Sequence, residues 1–305
     1  MDKNAQKSAF IAIVGRPNVG KSSLLNRLLK AKIAIVSSKP QTTRTRITGV
    51  LTEDGVQLVF VDTPGMHKPK NSLGKYMVRS VSESVSGVDC CMLVVEAGRE
   101  AGQTELQLIE KFRAMEMPAI LAINKIDTIK EKDALMKQIL DYSKLYDFEA
   151  VVPVSAEDGS GLDALKEELK KQSVEGGHFF DDDTLTDQPE RVLASEMIRE
   201  KILRLCDKEI PHGIAVVIEK MRSREDKDIL DVEAVIYCER ETHKRILIGK
   251  NGSMLKKIST YARQDMERFF GCRVYLQTWI KVREDWRNSV RLMRNFGYDE
   301  KDFSD

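Results

Sequence analysis

Residues Ala9–Ser22 read Ala-Phe-Ile-Ala-Ile-Val-Gly15-Arg16-Pro17-Asn18-Val19-Gly20-Lys21-Ser22. An apolar run, Phe10–Val14, predicts a buried strand. The glycine-rich turn that follows opens into a helix at Lys21, whose apolar positions are Leu24, Leu25, Leu28 and Leu29. Strand, glycine turn and helix in that order form a phosphate-binding loop. The glycines let successive N–H groups converge on an oxyanion, and the helix N-terminus adds its partial positive charge. Lys21 is placed to reach the outer phosphates. The Ser22 hydroxyl is placed to ligate magnesium, and Ser23 adjoins it.

The chain has 305 residues, enough for two domains. With 42% hydrophobic and 32% charged residues, it reads as globular and soluble. No apolar stretch approaches a membrane span, and no signal peptide is expected. Five cysteines without a C-x-x-C pair, and four scattered histidines, support neither a disulfide framework nor zinc. A reducing cytoplasm is the expected compartment.

From Phe10 to about Gln172, strands and helices alternate. Strands are expected at Phe10–Val14, Val56–Val61, Cys90–Val95, Ala119–Ile123 and Ala150–Pro153. Leu73, Met77, Val81 and Val85 mark one helix, and Leu106, Ile109 and Phe112 another. The fold class is α/β: a mostly parallel sheet with helices on both faces and ligands at the carboxyl ends of its strands. Three further motifs each follow a strand. Asp62-Thr63-Pro64-Gly65 supplies a carboxylate for magnesium, through a water, and a glycine N–H for close approach to a terminal phosphate. In Asn124-Lys125-Ile126-Asp127, the Asp127 carboxylate accepts from guanine N1–H and its exocyclic amine, donors that adenine lacks on that edge. Asn124 braces neighbouring loops and touches the base, while the Lys125 stem covers the base face. Ser155-Ala156 follows the next strand, with the Ala156 N–H expected to meet the guanine carbonyl.

This motif set resembles the translation-factor-related GTPases, to about residue 172. Lys39–Arg46 looks like the first switch loop of the Era branch. The resemblance implies that a threonine there ligates magnesium when the γ-phosphate is present; register favours Thr43, with Thr42 the alternative. Met66 stands where Ras-like enzymes place a glutamine that orients water. A thioether orients water poorly, so hydrolysis is expected to be slow without a partner or an added charge. Asn18 resembles a position that helps bind potassium in related GTPases; the alternative is that it only shapes the turn. The expected catalytic set is Lys21, Thr43, Gly65 and Asn18; the expected ligands are GTP or GDP, Mg2+ and a candidate K+.

Residues 173–189, with a glycine pair, an acidic run Asp181–Asp183 and Pro189, read as a linker between domains 1–172 and 190–305. The acidic run reads as solvated. Beyond it the expected order is helix, strand Ile214–Met221, strand Asp231–Glu239, GxxG, helix Ser253–Phe270 and strand Arg273–Ile280. Gly249-Lys250-Asn251-Gly252, preceded by Ile248 and followed by a helix bearing Lys256 and Lys257, matches the clamp loop of a KH-like (type II, α+β) domain, which grips single-stranded RNA. Between Arg240 and Arg294 stand 14 Lys or Arg against 5 Asp or Glu, on a chain of net charge +1. Arg287, Arg291 and Arg294 are expected on one face of a terminal helix, with Trp286, Val290 and Met293 on the adjoining one. Such cations contact phosphate without choosing sequence.

Nearly the whole chain thus resembles the Era family of GTPases. The resemblance implies binding of the single-stranded 3′ end of small-subunit ribosomal RNA, a role in assembling that subunit, peripheral association with the inner membrane, and no DNA partner. Two other functions fit the same residues: a nucleotide-gated RNA scaffold with negligible turnover, and a membrane-surface GTPase for which RNA is secondary.

Overall fold

The computed structural model describes residues 6–39, 41–66, 69, 71–129, 132–206, 210–225 and 227–298. Pro40 of the expected switch loop lies outside them, as does the end of the second domain beyond residue 298. The described residues form two compact units. One runs to Ala34, from Thr43 to 66, and from Met77 to Asp187; the other takes in Ile35–Thr42, residues 69–76 and the chain from Gln188.

The first unit is built on strands β1 (Lys7–Val14), β2 (Ile47–Glu53), β3 (Val56–Asp62), β4 (Cys90–Glu96), β5 (Ala119–Asn124), β6 (Ala150–Pro153) and β7 (Val174–Glu175). The path through the sheet is β2-β3-β1-β4-β5-β6. All its pairs are parallel except β2 with β3, and β7 pairs antiparallel with the first residues of β1. Strands β4 and β5 are buried on both faces, the reason they read as unbroken apolar runs. Helices α1 (Lys21–Leu29), α2 (Ser72–Val85), α3 (Gln103–Met115), α4 (Lys132–Ser143) and α5 (Leu162–Lys170) connect them. Val81 and Val85 of α2 and Leu108, Ile109 and Phe112 of α3 pack on Ala12, Val14, Cys91, Leu93 and Leu121. Register pairs Ile13 with Asp62 and Glu96 with Asn124, so each motif leaves its strand at the same edge of the sheet.

The stretch read as a linker is laid down on this unit. Gln57, fully buried, donates to Phe180 O (2.9 Å) and accepts from the Phe179 and Phe180 N–H groups (2.8 and 3.0 Å). The Phe179 ring meets Phe10 edge-on at 4.8 Å, and Val50 N donates to Leu185 O. Within the acidic run, Asp182 pairs with His178.

In the second unit, α6 (Glu190–Leu205) precedes β8 (Ile214–Ser223), β9 (Ile229–Cys238), α7 (Glu241–Ile248), α8 (Ser253–Phe270), β10 (Arg273–Val282) and α9 (Val290–Asn295). The sheet order is β10-β9-β8, with β10 parallel and β8 antiparallel to β9. Met197, Ile198 and Ile202 of α6 share a core with Ile258, Ala262 and Met266 of α8 and with Val232, Ala234 and Ile236. Two expectations are corrected here. An eight-residue helix, α7, stands before Gly249, where the apolar triplet Ile246-Leu247-Ile248 concealed helical spacing; only Leu247 of α7 is buried. The terminal basic helix is broken in two, because Asp285 takes a left-handed conformation, Trp286–Asn288 form a 3-10 turn, and Ser289 starts α9 by accepting from Leu292 N.

Candidate functional sites

The phosphate loop takes the backbone shape its glycines allow. Gly15 and Gly20 have φ of 147° and 99°, and Asn18 is left-handed at 65°. A Cβ at Gly15 would stand 2.3 Å from Val94 O, and one at Gly65 would stand 2.7 Å from Pro17 Cα, so two strand ends close directly on the loop. Lys21, only 6% exposed, donates to Gly15 O (3.1 Å) and Arg16 O (2.9 Å), which holds the ammonium over the cradle. Burial pulls its pKa down to about 8, against the opposing pull of Asp62.

Ser22, Thr43 and Asp62 come together. Ser22 Oγ donates to Asp62 Oδ2 at 2.6 Å and stands 2.9 Å from Thr43 Oγ1. Asp62 is fully buried, and its Oδ1 has no hydrogen-bond partner among the described residues. Burial raises its pKa to about 6, despite the Lys21 charge and the Ser22 hydrogen bond. Three hard oxygen donors, one an orphaned buried carboxylate oxygen, fit a magnesium ion. Thr42 faces elsewhere: its Oγ1 donates to Lys39 O at 2.6 Å and meets Ser37 Oγ at 2.8 Å. Within the second unit, the 35–42 segment is held by α6. Arg199, 2% exposed, donates to Thr42 O, Glu200 Oε1 accepts from Val36 N at 3.0 Å, and Arg204 donates to Val36 O.

The base-side loops are braced by Asn124, 1% exposed. It donates to Val19 O (2.8 Å) and accepts from Ala156 N (3.0 Å). Asn124 thus braces two neighbouring loops, as expected, and its amide keeps a second N–H and a second lone pair. Asp127 accepts from Ser155 Oγ at 2.6 Å through Oδ1, which orients the carboxylate and leaves Oδ2 for a ligand. Lys125, left-handed at φ 68°, is tied to Glu96 at 3.0 Å. Met66 packs its side chain against the core around Ala12 and Val14. Residues that lie outside every motif also shape the site. Arg27 donates to the carbonyls of Ala156 and Glu157, and fully buried Glu105 pairs with Arg16. An arginine in the first helix and an acid in a helix cap carry no local signal of such roles.

In the second unit Gly249 has φ 72°, and a Cβ there would stand 2.7 Å from Met254 Cβ. Lys250, Asn251, Lys256 and Lys257 are exposed around the loop, together with Ile246 on α7 and Tyr261 on α8, which the sequence reading had passed over. Ile248 is half-buried and Gly252 left-handed at φ 76°. Arg291 and Arg294 are exposed. Arg287 is not available as expected: its guanidinium makes a two-pronged pair with Glu239, at 2.9 and 2.6 Å.

A glycine-cradled lysine, a serine–threonine–aspartate oxygen cluster and an oriented Asp127 define a P-loop GTPase, here followed by a KH domain. Family models agree: residues 10–125 match the 50S ribosome-binding GTPase family and residues 209–287 the KH domain. GTPase Era of Clostridioides difficile (strain 630) is 50% identical over 295 residues, 97% of this chain and 99% of that protein. GTPase Era of Ruminiclostridium cellulolyticum is 47% identical, over 96% and 97%. A solved structure of Aquifex aeolicus Era bound to GDP·AlF4−, 38% identical, superposes with a TM-score of 0.92 over 96% of this chain and 99% of that one. Another Era structure, holding MgGDPNP and nucleotides 1506–1542 of 16S ribosomal RNA, matches equally well. The chain belongs to the GTPase Era family, and it is a GTPase that hydrolyses GTP to GDP and phosphate. Among the described residues no helix is long and apolar enough to cross a membrane.

Proposed function

We propose that this GTPase is a magnesium-dependent switch whose KH unit binds the single-stranded 3′ end of small-subunit ribosomal RNA during assembly of that subunit. The observation that carries the switch is the oxygen cluster of Ser22, Thr43 and Asp62, because Thr43 comes from the candidate switch segment and the other two from the loop and the strand end. The RNA half of the reading rests on the exposed GxxG loop and on the RNA-bound relative. Ser22, Thr43 and Asp62 would hold magnesium, which when bound neutralises negative charge on the outer phosphates. Lys21 turns its ammonium to the same oxygens, and the Gly65 N–H offers a close donor. Asp127 selects guanine and Ser155 keeps it oriented. Met66, half-buried against the core, offers only a thioether, which orients water poorly, so a monovalent cation near Asn18 is the proposed source of additional charge. Peripheral association with the inner membrane surface, through basic residues of the second unit, belongs to the same proposal.

Because GTP and GDP differ in their hold on Thr43, RNA affinity must differ between them, and RNA must shift nucleotide affinity by the same factor. Binding of a 16S 3′-end RNA is to be measured with GDP and with a non-hydrolysable GTP analogue. Equal affinities would remove the switch, and equal turnover in potassium and sodium buffers would remove the cation.

A further inference from the structure

The sheet of the second unit has two faces. One packs on α6 and α8, where the GxxG loop begins α8. The opposite face carries Tyr275, Trp279 and Lys281 of β10, and register places Trp279 beside Val235 and Val235 beside Val217. At the end of this face, where the chain turns into α9, lies a cavity of about 560 Å3 lined by Val217, Tyr237, Phe296, Arg283, Arg291 and Asn295, with Ser289 and Leu292 completing it.

The lining has two kinds of surface. Tyr237 and Phe296 stack at 4.4 Å and 25°, making a continuous aromatic wall. Arg283 and Arg291 are exposed, and neither guanidinium has an ion-pair or hydrogen-bond partner among the described residues. Three other cations of this face are matched, Lys281 with Glu219 (3.4 Å), Lys220 with Glu233 (3.2 Å) and Arg224 with Asp231 (2.7 Å), while Arg273 is exposed at the far end of β10, away from the cavity. Glu284 and Asp285, the exposed acids nearest in sequence, follow Arg283, and Asp285 is engaged by Asn288. The face therefore spends its acids on lysines and on Arg224, and leaves two planar cations at the mouth of an aromatic cavity.

A guanidinium fork matches the oxygens of a phosphate, and an aromatic wall matches a flat ring. The cavity volume lies within the range of small-molecule sites. We propose that this cavity is a second RNA subsite, which takes one nucleotide of a strand whose single-stranded part occupies the GxxG side; this rests on the RNA-binding reading above. Trp279, 43% exposed on the same face, extends the stacking surface along β10 towards Tyr275, 51% exposed, whose ring already carries the Arg224 guanidinium at 5.5 Å. A free nucleoside monophosphate shares this chemistry, and the strand is favoured because the exposed aromatics continue beyond a single nucleotide's reach.

The test uses the full chain with magnesium and a GTP analogue, and RNA of nucleotides 1506–1542 of 16S ribosomal RNA. Arg283→Gln/Arg291→Gln is compared with wild type, with Lys250→Glu in the GxxG loop, and with Lys144→Gln/Lys171→Gln as a charge control in the first unit. The arginine double variant is expected to bind about tenfold more weakly at low salt, with the slope of log affinity on log salt reduced by about 1.4, two single-strand phosphates' worth. Photo-cross-links from 4-thiouridine RNA should reach Tyr237 or Phe296. Unchanged affinity and slope in this variant, while Lys250→Glu loses binding, would overturn the subsite and leave the RNA reading intact; failure of wild type to bind RNA would overturn the reading itself. Binding of AMP or UMP as tight as the RNA would make this a free-nucleotide site and refute the strand. A loss seen only with anionic vesicles would refute it in favour of a lipid surface.

Discussion

Asn124→Ala is the most informative single change in the nucleotide unit. The side chain makes two hydrogen bonds, one to Val19 O at 2.8 Å and one from Ala156 N at 3.0 Å, from a position 1% exposed. Truncation leaves a carbonyl and an N–H without partners. A buried unsatisfied group costs about 1–3 kcal/mol. Val19 is buried and incurs most of that, whereas Ala156 is half-exposed and can recruit water. A total of about 2–3 kcal/mol follows. For a unit of this size, each kcal/mol lowers the melting temperature by about 2–4 °C, so a fall of about 4–12 °C is expected in the transition of the nucleotide-free first unit. Calorimetry of the full chain reads this, with the GDP-dependent transition identifying the unit. Asn124→Asp supplies the internal comparison. It keeps an acceptor for Ala156 N but sets a carboxylate against Val19 O, and should be at least as damaging. A fall below about 2 °C for the alanine variant, or wild-type behaviour of the aspartate variant, would refute the bracing role.

Three other outcomes are expected. In the metal-free, nucleotide-free chain Asp62 has a folded pKa of about 6, above its ordinary value, so its contribution to stability is full below that ordinary value and is lost as pH rises through 6. Asp62→Asn should flatten that loss in a denaturant titration from pH 4 to 7 while weakening magnesium-dependent GTP binding; an unaltered pH profile would contradict the burial argument. Arg199→Met should free the Thr42 carbonyl, raise hydrogen exchange across the described residues of 36–42 about tenfold or more, and, through the Thr42–Thr43 peptide bond, lower GTP turnover. Gly249→Ala meets both a positive φ and Met254, so RNA affinity should fall about tenfold or more while GTP turnover without RNA stays at the wild-type rate.

The nucleotide motifs were legible because their chemistry is local. A phosphate cradle needs glycines at fixed offsets, and the φ values at Gly15 and Gly20 are what those offsets require. Strands β4 and β5 are buried on both faces and β1 and β3 nearly so, and their apolar runs announced them; β6, with only Val152 buried, was marked by the short run Ala150–Pro153. Strand β2, half of whose residues are only partly buried, left no such run and was not read. Helix α7 escaped for a similar reason, with one buried residue in eight.

What the sequence by itself determined was the α/β sheet, the phosphate loop, the guanine-selecting aspartate and the KH-type GxxG turn, because each follows from backbone geometry and residue chemistry within a few positions. Tertiary structure alone decided which partners those residues keep. Met66, half-buried, packs against the core, Asn124 braces two loops with its amide, and Gln57 holds a stretch that composition marked as a linker. The charge of Arg287 is compensated by Glu239, 48 positions away, while those of Arg283 and Arg291 stand uncompensated at a cavity no motif announces. A charged side chain's function depends on which opposite charge folding brings within reach, and that pairing is set across strands and helices far apart in the chain.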